Sequence, residues 1–212
     1  MPTNTVISEK SVKKEWNELY GNFPLESLPW YSERPVKPLV DLLRRKSLKG
    51  KKALDVGCGA GSNTLYLAAK GVVAAGADVS IEAIRLAKSR MARKKLKGFF
   101  AAADASQLPF KNEVFDFILD RGCFHHIEPF KRLDFIGEMR RVLSPQGCYL
   151  MLCFSDKNPE RENTFSRQDL KAYFGGYFKI QWIRPSIFKE FGRLPRFFNV
   201  AFMQKKAAPI NS

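Results

Sequence analysis

The sequence is poor in the residues that build metal centres and covalent staples, with two histidines and four cysteines in 212 residues. Cys58, Cys123, Cys148 and Cys153 are too few and too irregularly spaced for a disulfide framework or a paired Cys-x-x-Cys zinc site, so reduced thiols are expected and no metal site is assigned. No stretch approaches the roughly 20 apolar residues of a spanning helix, and the opening MPTNTVISEKSVKKEW holds no apolar run of signal-peptide length. A soluble, cytoplasmic protein without a membrane partner is expected. Repeats and low-complexity tracts are absent. Acidic residues are in the minority, 21 against 36 Lys and Arg, for a formal net charge of +15.

What is present argues for a folded unit. Hydrophobic residues make up 45% of the chain and aromatics 13%, enough to offset the entropy of ordering. The length suits one domain with a modest extension. Part of the basic excess is concentrated in residues 85–97, where Arg85, Lys88, Arg90, Arg93, Lys94, Lys95 and Lys97 occur with no acidic residue. Such a run is either a solvated helix face or a surface for a polyanion such as RNA.

Apolar spacing divides the chain near residue 50. Val12, Trp16, Leu19 and Tyr20 predict a helix ending at Gly21, and Val36, Leu39, Val40 and Leu43 predict a second. Between them lies a loop with Phe23, Pro24, Pro29, Trp30, Tyr31 and Pro35. Residues 1–50 thus form a helical extension on a domain of residues 51–212. From Lys52 short apolar runs near 52–56, 72–77, 98–103, 114–119 and 148–154 alternate with helical segments near 62–70, 80–95 and 129–142. The last of these has Phe130, Leu133, Ile136, Met139 and Leu143 in its repeat. Ser166 is a candidate cap for a helix over 167–174, and strands near 178–183 and 197–203 are expected to pair antiparallel at the sheet edge. The pattern predicts an α/β, doubly wound, mostly parallel seven-stranded sheet with helices on both faces and an antiparallel last strand.

The strongest chemical signal is Ala53-Leu54-Asp55-Val56-Gly57-Cys58-Gly59-Ala60-Gly61-Ser62-Asn63, a buried strand running through three alternate glycines into a helix. Glycine allows the sharp turn and lets a ligand lie against main-chain N–H groups. In a dinucleotide fingerprint the third glycine would fall at Ser62, so a ligand without a pyrophosphate fits better.

These residues resemble the first motif of the class I S-adenosylmethionine-dependent methyltransferases, and the likeness runs over roughly residues 30 to 204. Among them the chain is most similar to small-molecule enzymes of the type 11, thiol and tellurite-resistance kinds, through Asp120-Arg121-Gly122 and Pro29-Trp30. The resemblance implies S-adenosylmethionine as cofactor, with Asp78 on the ribose hydroxyls, Asp104 on the adenine amino group, and Val79 and Ala105 against the base. Asp55, Gly57, Cys58, Gly59, Asn63 and Asp120 complete the implied cofactor set. Asp55 either holds the glycine loop or reaches the methionyl amine through water.

Both histidines, His125 and His126, follow the fourth strand near the expected methyl group. Each is either a base or substrate partner or a packed helix-start residue. Arg121 either favours an anionic nucleophile such as a thiol or pairs with Asp120, Asp116 or Glu128. Trp30 and Tyr31 either form a lid over the sulfonium or anchor the extension. Trp16, Tyr20, Phe154 and Phe191 are weaker candidates for pocket walls, and Phe188, Phe197 and Phe198 match no acceptor motif. Three functions follow: methyl transfer to a small molecule with a soft chalcogen nucleophile, methylation of RNA or another macromolecule docked on residues 85–97, or a silent cofactor-binding partner subunit.

Overall fold

The computed structural model describes residues 9–48, 50–188 and 195–207. Its elements are α1 (Glu9–Asn22), α2 (Lys37–Arg45), β1 (Lys52–Val56), α3 (Ser62–Ala69), β2 (Val73–Asp78), α4 (Ile81–Arg93), β3 (Phe99–Ala102), β4 (Phe115–Arg121), α5 (Arg132–Val142), β5 (Leu143–Phe154), α6 (Arg167–Phe174), β6 (Phe178–Phe188) and β7 (Arg196–Lys205). The strands form one sheet in the order β3-β2-β1-β4-β5-β7-β6. All neighbours are parallel except around β7, which runs antiparallel to both β5 and β6. The doubly wound sheet is as expected. The expected antiparallel pair at the sheet edge is β6 with β7, β6 outermost and β7 between it and β5.

Near-continuous apolar strands mark a sheet covered on both faces, because successive side chains point to opposite sides. On β5, Tyr149, Met151 and Cys153 join the core with Phe135, Ile136 and Met139 of α5 and Leu170 and Phe174 of α6. Leu150 and Leu152 face the other way, toward Leu39 of α2 and Leu67 of α3. Each such burial stabilises by about 1.5–3 kcal/mol before ordering costs. A third, smaller cluster joins Tyr20 and Leu28 of the extension to Ala60 and to Ala83 of α4.

Local signals explain most boundaries. Ser166 Oγ accepts from Asp169 N–H at 3.1 Å while Asp169 accepts from Ser166 N–H at 2.8 Å, a reciprocal cap starting α6 where expected. Gly21 does not stop α1, which continues to Asn22. The stripe on α5 also needs correction: Phe130 and Leu133 are exposed, at 67% and 59%, and the buried face is Phe135, Ile136, Met139 and Val142. Phe130 falls in a 3-10 turn over Pro129–Lys131 that precedes α5, and Leu133 stands in the first turn of α5, beside the buried face. No described helix is long and apolar enough to cross a membrane.

Candidate functional site

At the carboxyl ends of β1, β2 and β4 the chain encloses a cavity of about 330 Å³. The glycine loop forms its floor. Gly57 has φ +64, and a Cβ there would lie 2.8 Å from the Cβ of Cys123. A Cβ on Gly59 would strike the hydroxyl of Tyr20, so the extension is seated on the loop where a side chain would otherwise stand. Gly57, Cys58 and Asn63 line the cavity, whereas Gly59 lies beneath Tyr20. Asn63 Oδ1 also accepts the Val36 N–H at 3.0 Å, fixing the approach to α2.

Asp78 closes β2 at the cavity wall. One carboxylate oxygen accepts from Gly59 N–H at 2.8 Å and the other from Ser80 N–H at 2.9 Å. Burial pushes its carboxyl up, and those two N–H donors pull it back. Each oxygen retains acceptor capacity for a hydroxyl. Val79, Ala103, Ala105 and Ile127 add an apolar surface beside it. Asp104 accepts from Ser106 N–H and Oγ at 2.8 and 2.7 Å and from Lys131 Nζ at 3.0 Å. Burial opposes its ionisation, but the Ser106 donors and Lys131 outweigh it and hold the carboxyl below the usual range. The structure therefore brings Asp78, Val79, Asp104 and Ala105 together at one end of the cavity.

Besides Gly59, two expected cofactor residues, Asp55 and Asp120, are not on the cavity surface. Asp120 is fully buried and accepts from Cys123 N–H (2.7 Å), Phe124 N–H (3.2 Å) and Tyr149 Oη (2.9 Å). Its alternation along β4 points it beneath the turn after the strand, so it shapes that turn instead of touching a ligand. Asp55 lies under the glycine loop, where Oδ2 accepts from Thr64 Oγ1 at 2.6 Å. Its Oδ1 has no partner among the described residues. Burial pushes both carboxyls up to about 7.

The extension supplies an aromatic roof. Trp30 Nε1–H donates to Tyr20 Oη at 2.9 Å, and Trp16 meets Trp30 edge-on at 5.1 Å. Trp16 meets His126 in the same way, also at 5.1 Å. Arg121 lines the cavity and donates to the Trp30 carbonyl. Of the other pairings considered for it, Asp116 is engaged by Lys52 N–H and lies near Lys51.

Arg90 corrects the reading of the basic run. It is buried, donates to the Ala60 carbonyl at 2.5 Å and to Ser62 Oγ at 3.1 Å, and its guanidinium lies 5.3 Å from the Tyr31 ring centre. It braces the glycine loop from behind and holds the roof, and so belongs neither to a solvated helix face nor to a polyanion surface, the two readings open for the run.

The histidines are packed on the far side. His125 Nδ1 accepts from Phe154 N–H at 3.1 Å, which places the ring proton on Nε2, and the imidazole stacks on Phe154 at 3.9 Å. Burial, then His126 and neighbouring arginines, hold its pKa well below the usual value. Burial and Arg161 bring His126 down to about 4. Both imidazoles are thus neutral at pH 7.

Phe154, Phe188 and Phe198 continue the wall, with ring centres 4.9 Å apart at each step, and Arg161 and Arg196 complete it. Phe191 lies outside the described residues. Arg90, Lys131, Arg161 and Arg196 were not foreseen as site residues. For Arg90 a signal existed, since it shares a helical face with Ala83 and Ala87. Among the described residues no cluster of His, Cys, Asp and Glu could hold a metal ion.

Residues 53–147 match the sequence profile of a family described as a methyltransferase domain. The phthiotriol/phenolphthiotriol dimycocerosates methyltransferase of Mycobacterium tuberculosis is 33% identical over 158 residues, covering 71% of this chain and 54% of that protein. The chain spans about half the length of the curated relatives it matches. A protein solved in connection with the conversion of a disulfide bond into a thioacetal group during echinomycin biosynthesis superposes with a TM-score of 0.81 at 23% identity, over 92% of both chains. The Burkholderia thailandensis 1,6-didemethyltoxoflavin-N1-methyltransferase, solved with 1,6-didemethyltoxoflavin and S-adenosylhomocysteine, gives 0.74 at 20% identity, over 92% of this chain and 88% of that one.

Proposed function

We propose that the chain, which belongs to the class I S-adenosylmethionine-dependent methyltransferases, transfers a methyl group to a small organic molecule through a thiolate or other soft chalcogen anion. S-adenosylmethionine is the cofactor of this domain, and when bound it supplies an electrophilic methyl carbon on a sulfonium. The residues present fit it. Gly57 and Cys58 bring the loop to the cavity surface, Asp78 offers acceptors to a vicinal diol, and Val79 and Ala105 present an apolar slot for a base. Asp55 Oδ1 stands unpartnered beside the same loop. Trp16 and Trp30 line the cavity with aromatic rings, which suit a positive charge.

One observation carries the acceptor reading: both imidazoles are packed, His125 with Nδ1 taken by the Phe154 N–H and its ring stacked on Phe154, His126 against Trp16, and burial holds the pKa of each low. A base of such low proton affinity does little for a phenol or alcohol. An acceptor that ionises by itself needs none. A thiol has a pKa near 8.5, and a guanidinium such as that of Arg121 lowers it further. What remains for the protein is to align the two reactants and keep water out, which the aromatic roof and wall support. The inward turn of Arg90 removes a member of the basic run and weakens the motive for a nucleic-acid substrate.

The test is a radiolabelled methyl-transfer panel of thiols, selenite, tellurite, phenols and RNA. Label in thiols or chalcogen anions, with rates indifferent to salt, is the expected result. Label in RNA with steep loss at high salt would instead support macromolecular docking. Calorimetric binding of adenosylmethionine without turnover on any acceptor would favour the partner-subunit reading.

A further inference from the structure

We infer that the acceptor is an organic acid: its apolar body lies against Phe154 and Phe198, and its carboxylate is taken by Arg161, with Arg196 beside it. The inference rests on the small-molecule reading above and adds the chemistry of the far end of the substrate. Arg161 lies on the cavity wall with its guanidinium carbon 4.6 Å from the Phe154 ring centre. Its Nε is buried and has no hydrogen-bond partner, one of two such side-chain polar atoms among the described residues. The acid nearest to it, Glu160, approaches only to 4.0 Å and is 70% exposed. A pair so exposed contributes little, and the two terminal nitrogens, which unlike Nε keep accessible surface and donate to no described residue, are left for an acceptor.

The surroundings specify what that something is. Phe154 stacks on His125 and packs on Phe198, so the surface under the guanidinium is flat and apolar. Arg161 and Arg196 both line this end, and the charges of Arg161, Arg121 and Arg196 all bear on His125. The carboxylates Asp78 and Asp104 stand at the opposite end, bonded there to their own donors, and Glu128 sits on the turn carrying Lys131. A planar carboxylate matches the guanidinium fork in shape and sign, which a neutral group does not.

The probes are naphthalene-2-carboxylate and naphthalene-2-carboxamide, equal in shape and different in charge, titrated by calorimetry into the protein with and without adenosylhomocysteine. The carboxylate is expected to bind about tenfold or more tightly than the amide in the wild type, and Arg161→Gln to bring the two together. Equal affinities in the wild type would overturn the inference, and so would a carboxylate preference that survives in Arg161→Gln. The wild-type comparison needs no variant to fold. As acceptors, 4-sulfanylbenzoate and 4-sulfanylbenzamide separate the two readings. A carboxylate preference in binding with no methylation of either thiol would remove the chalcogen nucleophile and leave the anion site standing. Failure of adenosylhomocysteine to bind would remove the methyltransferase reading alone.

Discussion

The guanidinium of Arg121 donates to the main-chain carbonyl of Trp30, joining the end of β4 to a loop 91 residues earlier in the sequence. The strand that carries the supposed nucleophile-side charge is therefore also the anchor of the roof. Arg121→Ala removes both the charge and the anchor. Adenosylhomocysteine affinity is expected to stay within a few-fold of wild type, while kcat falls about 100-fold through lost alignment and charge. Calorimetry paired with turnover distinguishes this from general damage, which would lower both.

In the proposed cofactor site, Asp78 is the residue expected to hold the ribose. In Asp78→Asn one of the two N–H groups now bonded to the carboxylate, those of Gly59 and Ser80, meets an amide NH2. A lost charge-assisted bond and a misplaced donor together correspond to about 2–3 kcal/mol, or roughly a 30- to 150-fold weaker Kd for adenosylhomocysteine. An unchanged Kd would show that the ribose lies elsewhere.

Stability should fall as pH rises through the neutral range. Asp55 and Asp120 are raised from 3.8 to about 7 in the folded chain, first by burial. Between those values the folded state holds more protons than the unfolded one, so unfolding is favoured with increasing pH, by up to about 1.4 kcal/mol per unit for each group. The stabilisation is fully present below pH 4 and is lost by about pH 7. Thermal melts from pH 5 to 8 should show a midpoint that declines toward pH 7, and declines less steeply in Asp120→Asn, where Asp55 alone remains. A midpoint rising over that window would contradict the protonated assignment.

Arg90→Gln tests whether the basic run is structural at that point. Losing bonds to Ala60 and Ser62 and the stacking on Tyr31 should cost about 1.5–3 kcal/mol in chemical denaturation and loosen the cofactor loop. Lys88→Gln, an exposed neighbour in the same run, should stay within about 0.5 kcal/mol. Equal effects would place both on a solvated face.

The sheet was legible because its signals are local: unbroken apolar strands, glycines at a turn, a Ser-x-x-Asp cap. Phe130 misled because it falls in the 3-10 turn before the helix, and Leu133 because it stands in the first turn of α5 to one side of the face made by Phe135, Ile136, Met139 and Val142. Asp120 and Arg121 are adjacent on a strand and so must point to opposite faces, but which face opens on a cavity depends on what the extension covers. Arg161 and Arg196 were invisible for a stronger reason. They meet at one wall from connections that only the order of β5, β7 and β6 brings together, and no spacing in the chain encodes that approach.

That order has a bearing on synthesis. Because β7 sits inside the sheet and β6 reaches the rest only through it, a nascent polypeptide stalled before residue 196 already possesses every strand of the nucleoside half but lacks Arg196 and Phe198. Such a polypeptide would hold the residues of the proposed cofactor end and none of the β7 residues that complete the opposite wall of the cavity.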